Sequence, residues 1–136
     1  PEMSRGLGDV YKRQEHKSMK TICMMRDLYK ALAEFEAQFE KEYDLSLNEA
    51  MILCALQEAK EEMTSTALSA RTGMATSHTS KVIRAVEEKE LIKRVLGKTD
   101  KRQMYFSLTP KGKERLKELN LEKVEVPERL KGVISE

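Results

Sequence analysis

Residues 66–110 read TALSARTGMATSHTSKVIRAVEEKELIKRVLGKTDKRQMYFSLTP, and the changes of period within them decide the fold. Thr66 suits the N-cap of a brief helix over 67–72, and Gly73 follows where a helix end takes a left-handed residue. After a tight connection a second helix begins near Ala75 or Thr76 and continues to about Lys89, with Val82, Ile83 and Val86 on one side. The period then shortens. Residues 92–96 read as a strand, 97–102 as a polar loop, and 103–108 alternate, with Met104, Phe106 and Leu108 facing one way and Gln103, Tyr105 and Ser107 the other. The two strands form a hairpin with a basic tip.

The flanks extend the same pattern. Ser46-Leu47-Asn48-Glu49 is a capping box that opens a helix to about Gln57, with Leu47, Ala50, Met51, Cys54 and Ala55 available for burial. Met63-Thr64-Ser65 is a short extended piece. Upstream, Ile22, Met25, Leu28, Leu32, Phe35, Phe39 and Tyr43 recur at steps of three or four, one apolar stripe on a helix over about 17–43. A helix of that length exceeds what so small a core needs, which implies burial against a partner. Downstream, Thr109-Pro110 marks a helix start with Pro in the first turn. Leu116 and Leu119 lie on its inner side, and Pro127 divides it from a last short helix carrying Leu130, Val133 and Ile134. Helix, tight turn, helix and hairpin within about fifty residues define a winged helix-turn-helix. The expected fold class is therefore mainly α with a small β-hairpin wing, flanked by dimerisation helices. Residues 46–110 form the winged part, and 15–45 and 111–136 the flanks of a single domain 15–136. The front, with SRGLGDVYKRQ at 4–14, lacks periodicity and resembles translated adapter sequence. Residues 1–14 are read as a cloning-derived tail, with Met19 a plausible start.

Composition bounds the function. The chain has 136 residues, room for one core and not two. No apolar run approaches the roughly 20 residues of a membrane span, and no signal-like segment stands at the front. Cys23 and Cys54 are too few for a disulfide scaffold, so the expected location is the cytoplasm, with no membrane partner. Net charge is only +2, but residues 63–113 carry eleven Lys/Arg against four Asp/Glu while the remainder carries fourteen against nineteen. A basic middle between acidic flanks is a footprint for a polyanion, although an uneven solvated surface gives the same pattern.

The helix over 76–89 leaves Thr76, Ser77, His78, Ser80, Lys81 and Arg84 toward solvent. Hydroxyls bond phosphates or base edges, cations bond phosphates or guanine, and a helix N-terminus adds positive partial charge. At the hairpin tip Lys98, Lys101 and Arg102 crowd together with only Asp100 to offset them. An Arg inserted in a minor groove meets strongly negative potential, and Asp100 is placed to hold the Arg102 guanidinium. These ten residues are the candidate DNA-binding set. An ordinary amphipathic helix and a loop charged against edge aggregation remain the plainer readings.

The run 73–91 followed by Asp100-Lys101-Arg102 and Leu108-Thr109-Pro110-Lys111-Gly112 resembles the multiple-antibiotic-resistance regulator (MarR) family over residues 20–120. That family has an Asp-x-Arg pair in its wing and a recognition helix opening with small hydroxyl residues, places that Ser77, Ser80 and Lys81 match. His78 stands where Thr is frequent, Ala75 where Ser or Pro is, and Glu90 where Gly is common. The resemblance implies a homodimer gripping a pseudo-palindromic operator on double-stranded DNA, released by a small aromatic or phenolic effector or by oxidation. Cys23 is the candidate redox sensor. Lys20 and Arg26 lie within one helical turn of it, the setting in which a thiol turns reactive, whereas a free Cys on an apolar helix is ordinarily packing. Cys54 is expected in the core.

An enzyme is not expected. There are two histidines, one of them His16 just after the front segment, no glycine-rich phosphate loop and no metal-ligand cluster, so no catalytic or metal residue and no cofactor is assigned. Glu61-Glu62 and Glu87-Glu88 diverge on helices as solvated faces. The competing reading is a winged helix that docks proteins and not DNA.

Overall fold

The computed structural model describes the backbone of residues 2–97, 100–119 and 124–134, with side chains from Lys17 onward. The chain divides into two units, residues 1–37 with 125–136, and residues 38–124.

The second unit holds the buried core. Helix α1 (Glu2–Tyr43) ends here, with the rings of Phe39 and Tyr43 5.0 Å apart and both buried. Asp44 takes a φ of 55°, which breaks the helix and drops Leu45 into the core. Ser46 then opens α2 (Leu47–Ala59) through the expected capping box: the Glu49 amide donates to Ser46 Oγ (3.1 Å), and the Ser46 amide donates to Glu49 Oε1 (3.0 Å). The face that α2 buries is Ala50, Ile52, Leu53, Ala55 and Leu56. Cys54 is exposed, against the expectation of a core thiol. The inward side of α2 is taken by Ile52, Leu53, Ala55 and Leu56 instead, and Cys54 lies at a surface cleft beside Glu58.

Strand β1 (Met63–Thr64) leads into α3 (Ser65–Thr72), whose N-cap is Thr64 and not Thr66. The reason is tertiary. Thr64 pairs with Tyr105 of β3 (Met104–Leu108), which holds it extended, so the helix begins at the next residue and the Ala67 amide donates to Thr64 Oγ1. Gly73 ends α3 at φ 76° as its position implied. Helix α4 (Thr76–Glu88) buries Thr79, Val82, Ile83 and Val86, and the Thr79 hydroxyl donates to the Ala75 carbonyl at 2.9 Å. Strand β2 (Ile92–Leu96) pairs antiparallel with β3 from Ile92↔Leu108 to Leu96↔Met104, giving the order β1-β3-β2. The sheet carries one strand more than a bare hairpin.

Helix α5 (Pro110–Glu118) starts as its Thr-Pro pair dictates. Thr109 Oγ1 accepts from the Gly112 amide and donates to the Glu90 carbonyl (2.7 Å). A side chain at Gly112 would drive its Cβ into the Leu91 carbonyl, so only glycine allows α5 to pack this closely on the α4–β2 connection. Glu90, in the place where glycine is common in the resembled family, has φ 63°.

The first unit comprises the α1 residues to Ala37 and α6 (Glu128–Lys131). The helix begins at Glu2, well before the stripe that marks it from about Lys17. Asp27 accepts from Arg129 of α6 (3.3 Å). Ala31 and Phe35 are buried, whereas Met19, Ile22, Met24, Met25, Tyr29, Val133 and Ile134 are exposed. Residues 120–123 lie outside the described set.

Glu49 joins α2 to α4. Its Oε2 lies 2.9 Å from Lys89 Nζ, and the same ammonium donates to the Asp44 carbonyl at 2.9 Å. Burial by itself would raise this carboxyl, but the Ser46 amide and hydroxyl and the Lys89 charge outweigh it and hold Glu49 below the ordinary carboxylate value. A depressed carboxyl stabilises the fold above its ordinary pKa and ceases to as pH falls through the folded value. Glu49→Gln should cost roughly 1–2 kcal/mol at pH 7, allowing for the partial exposure of Lys89. The deficit should shrink as pH drops below the ordinary carboxylate range. Urea melts of both proteins between pH 7 and pH 3 check this, and parallel pH profiles would contradict it.

Candidate nucleic-acid interface

Helix α4 sets the site because its buried face leaves little choice for the rest. With Thr79, Val82, Ile83 and Val86 inside, Thr76, Ser77, His78, Ser80, Lys81 and Arg84 are all exposed. Ser80 Oγ donates to the Thr76 carbonyl at 3.2 Å, so that hydroxyl keeps its acceptor lone pairs outward. His78 is tied to α2, with its Nε2 3.0 Å from Asn48 Nδ2.

The hairpin supplies the second part. Asp100 Oδ1 accepts from the Arg102 amide (3.0 Å) and lies 3.5 Å from Arg102 Nε. The expected Asp100–Arg102 contact is therefore present, and it turns the backbone as well as the guanidinium. The Arg102 side chain remains 94% exposed, and Lys101 is exposed beside it. The loop is closed by Gln103 N–H on the Asp100 carbonyl and Gly97 N–H on the Gln103 carbonyl. Any Cβ at Gly97 would meet that Asp100 carbonyl and the Tyr105 ring. Lys98 lies outside the described residues.

Between the two parts runs a cleft of about 660 Å³, lined by Ser80 and Arg84 of α4, Ser65 and Thr66 of α3, and Gln103 and Arg94 of the hairpin. Residues adjacent in sequence to Lys81 and Arg102 thus share one concave surface. Arg94 was not singled out by sequence. Its guanidinium makes two bonds to Glu87 of α4 (2.8 and 3.1 Å) and lies 5.7 Å over the Phe106 ring, so it braces β2 against α4. Only the register Arg94↔Phe106 reveals that role. Asn48, likewise, lies thirty residues from His78 and no local pattern joins them.

Three helices, a three-stranded antiparallel sheet and a cation-tipped hairpin beside an exposed hydroxyl-bearing helix make this a winged helix-turn-helix of the DNA-binding transcription-regulator class. The family described as "Transcriptional regulator SarA/Rot" matches residues 34–119, more than half of the chain, and the chain belongs to that family. No curated protein matches it closely enough to count as a relative. Among solved structures it is similar to the transcriptional regulator BldR from Sulfolobus solfataricus, at 26% identity, with 86% of this chain and 91% of that chain covered and a TM-score of 0.65. The MepR–DNA complex of S. aureus shares the fold at 20% identity, covering 69% and 77% with a TM-score of 0.55. BpsR of Bordetella bronchiseptica, whose DNA binding is regulated by 6-hydroxynicotinic acid, shares it at 21% identity, covering 69% of each chain with a TM-score of 0.60. These neighbours are MarR-family regulators, in line with the resemblance read from the wing and recognition helix. Family and fold are those of transcriptional regulators and not of enzymes. No described helix is long and apolar enough to cross a membrane, and no described cluster of His, Cys, Asp or Glu could hold a metal ion.

Both cysteines are exposed. Cys54 lines a separate cleft with Glu58 of α2 and Lys113 of α5. Partial burial, and then the Glu58 carboxylate, push its thiol above the ordinary value. Because the thiolate is the reacting form, Cys54 should alkylate with iodoacetamide more slowly at pH 7.5 than the same residue in the urea-unfolded chain. Glu58→Gln should speed it. Equal rates in folded and unfolded protein, followed by mass mapping of Cys54, would remove the effect.

Proposed function

We propose that this chain is a homodimeric repressor that binds a pseudo-palindromic operator in double-stranded DNA through α4 and the hairpin. One observation carries the reading: Ser80 and Arg84 of the exposed helix face share a cleft with Gln103, whose neighbour Arg102 stands almost wholly in solvent. Thr76, Ser77, His78, Ser80 and Lys81 then meet the major groove, Arg84 a phosphate or guanine, and Lys101 and Arg102 the adjacent minor groove, with Asp100 orienting Arg102 and Lys98 adding charge. In this reading residues 46–110 engage DNA while 15–45 and 111–136 pair two copies in the cytoplasm.

The exposed apolar side chains support the dimer. Ile22 is 68% exposed, and Tyr29 and Val133 are each 74% exposed, more apolar surface than a monomer ordinarily leaves wet. Sedimentation should give a dimer for the native chain and a monomer for Ile22→Asp. A native monomer would remove the pairing. Release by a small aromatic or phenolic effector is in keeping with BpsR and its hydroxynicotinic acid. Release by oxidation would act at Cys23, exposed on α1. Peroxide should then free DNA from the native protein and leave Cys23→Ser bound.

The decisive measurement is a shift assay with duplexes selected from a randomised library, repeated at rising salt. Affinity should fall steeply, because phosphate contacts release counterions. Arg102→Ala and Lys81→Ala should each bind about tenfold or more weakly while remaining folded, and loss of one phosphate contact should lower the salt slope by about one. Binding that ignores both salt and these substitutions would favour a protein-docking winged helix.

A further inference from the structure

The hydrogen bond between Asn48 and His78 joins the start of α2 to the start of α4, across thirty residues of sequence. Neither backbone is free to drift. Asn48 sits inside the Ser46–Glu49 capping box, whose carboxylate is buried against Lys89. His78 directly precedes Thr79, which is fully buried and bonded to the Ala75 carbonyl. The two side chains are thus presented to each other by two anchored helix starts.

The chemistry of the contact is directional. With Nδ2 of the Asn48 amide turned to the ring, Asn48 is the donor, and in that orientation Nε2 offers its lone pair. In the neutral ring the proton then sits on Nδ1, opposite to the form that an unconstrained histidine side chain favours. An imidazole held this way has one group left for a ligand, an N–H donor. Groups on DNA that accept from a donor in the major groove are guanine O6 and N7, adenine N7 and thymine O4, whereas the cytosine and adenine amino groups do not.

We propose that Asn48 is a positioning residue that sets the tautomer of His78 and thereby makes it a donor-only reader of acceptor atoms on a base edge. This rests on the DNA-binding reading above and specifies one determinant of its sequence preference. A hydroxyl in the place of His78 would both donate and accept and so discriminate less.

Two measurements test it. Nitrogen-15 spectra of the histidine side chains in the free native protein should show His78 protonated at Nδ1, with His16 assigned by its own substitution. Asn48→Leu, which keeps the size and loses the donor, should move His78 toward the Nε2-protonated form. In a selection from randomised duplexes, native protein should favour acceptor-bearing bases at one position of each half-site. Asn48→Leu and His78→Ala should each lose about three- to tenfold of that preference, and the double substitution no more than either alone. A native ring protonated at Nε2, or a tautomer that Asn48→Leu leaves unchanged, overturns the proposal while leaving the DNA-binding reading intact. The same holds for unchanged base preferences, and for a uniform loss of affinity across all sequences, which would make His78 a phosphate contact. Failure of the native protein to bind any duplex overturns the DNA-binding reading and the proposal with it.

Discussion

The buried carboxylate of Glu49 holds residues 38–124 in register. Glu49 closes the capping box on Ser46, and its second oxygen meets Lys89, whose ammonium also bonds the carbonyl of Asp44. One anion thereby ties the end of α1, the start of α2 and the end of α4. A buried ion pair is weak evidence for net stability, because desolvation offsets the Coulomb gain. Its directional demands are another matter: the Ser46 amide and the Lys89 ammonium converge on one carboxylate, and a shifted α4 would leave a charge buried alone. The pair is better understood as setting where α4 sits than as the source of the fold's stability, which the apolar residues around Leu53, Leu68, Val86 and Leu91 supply.

From that placement the interface follows. Once α4 is held by its C-terminal end and by Val82, Ile83 and Val86, its first two turns have one face to show, and that face carries hydroxyls, an imidazole and two cations. The hairpin is then joined to the same helix by Glu87 and Arg94 and held by the close contact of Gly112 with Leu91. The angle between α4 and the hairpin is therefore set by contacts at their shared root, far from the tip where Arg102 stands in solvent. Rigid support beneath and an exposed cation above suit the duplex contact proposed for this surface.

Much of this was legible in the residues themselves. The capping box at Ser46, the glycine end at Gly73 and the Thr109-Pro110 helix start are local signals, each satisfied by atoms within four or five positions, and the alternation through Phe106 marks its strand. So is the outward face of α4, since the 3.6-residue period assigns it once the buried side is known. The front segment and α3 show the opposite. The helix reaches back to Glu2 without an apolar stripe to announce it, and Thr64 displaces Thr66 as the cap because a strand pairing intervenes. By residue type Cys54 belongs in the core, yet α2 turns Ile52, Leu53 and Leu56 inward and leaves it exposed.

The division has a physical cause. Sequence by itself determined most of the elements, several of their ends and the outward face of α4, because capping, glycine geometry and periodicity act over a single turn or strand. Only the tertiary structure decided which elements meet: the third strand beside β3, the Arg94–Glu87 brace, the Lys89–Glu49 tie and the approach of Asn48 to His78. Those contacts link residues as far apart in sequence as Met63 and Phe106, and their partners are chosen by packing and by the cost of leaving a buried donor or charge unmatched, quantities that exist only once the chain has closed on itself.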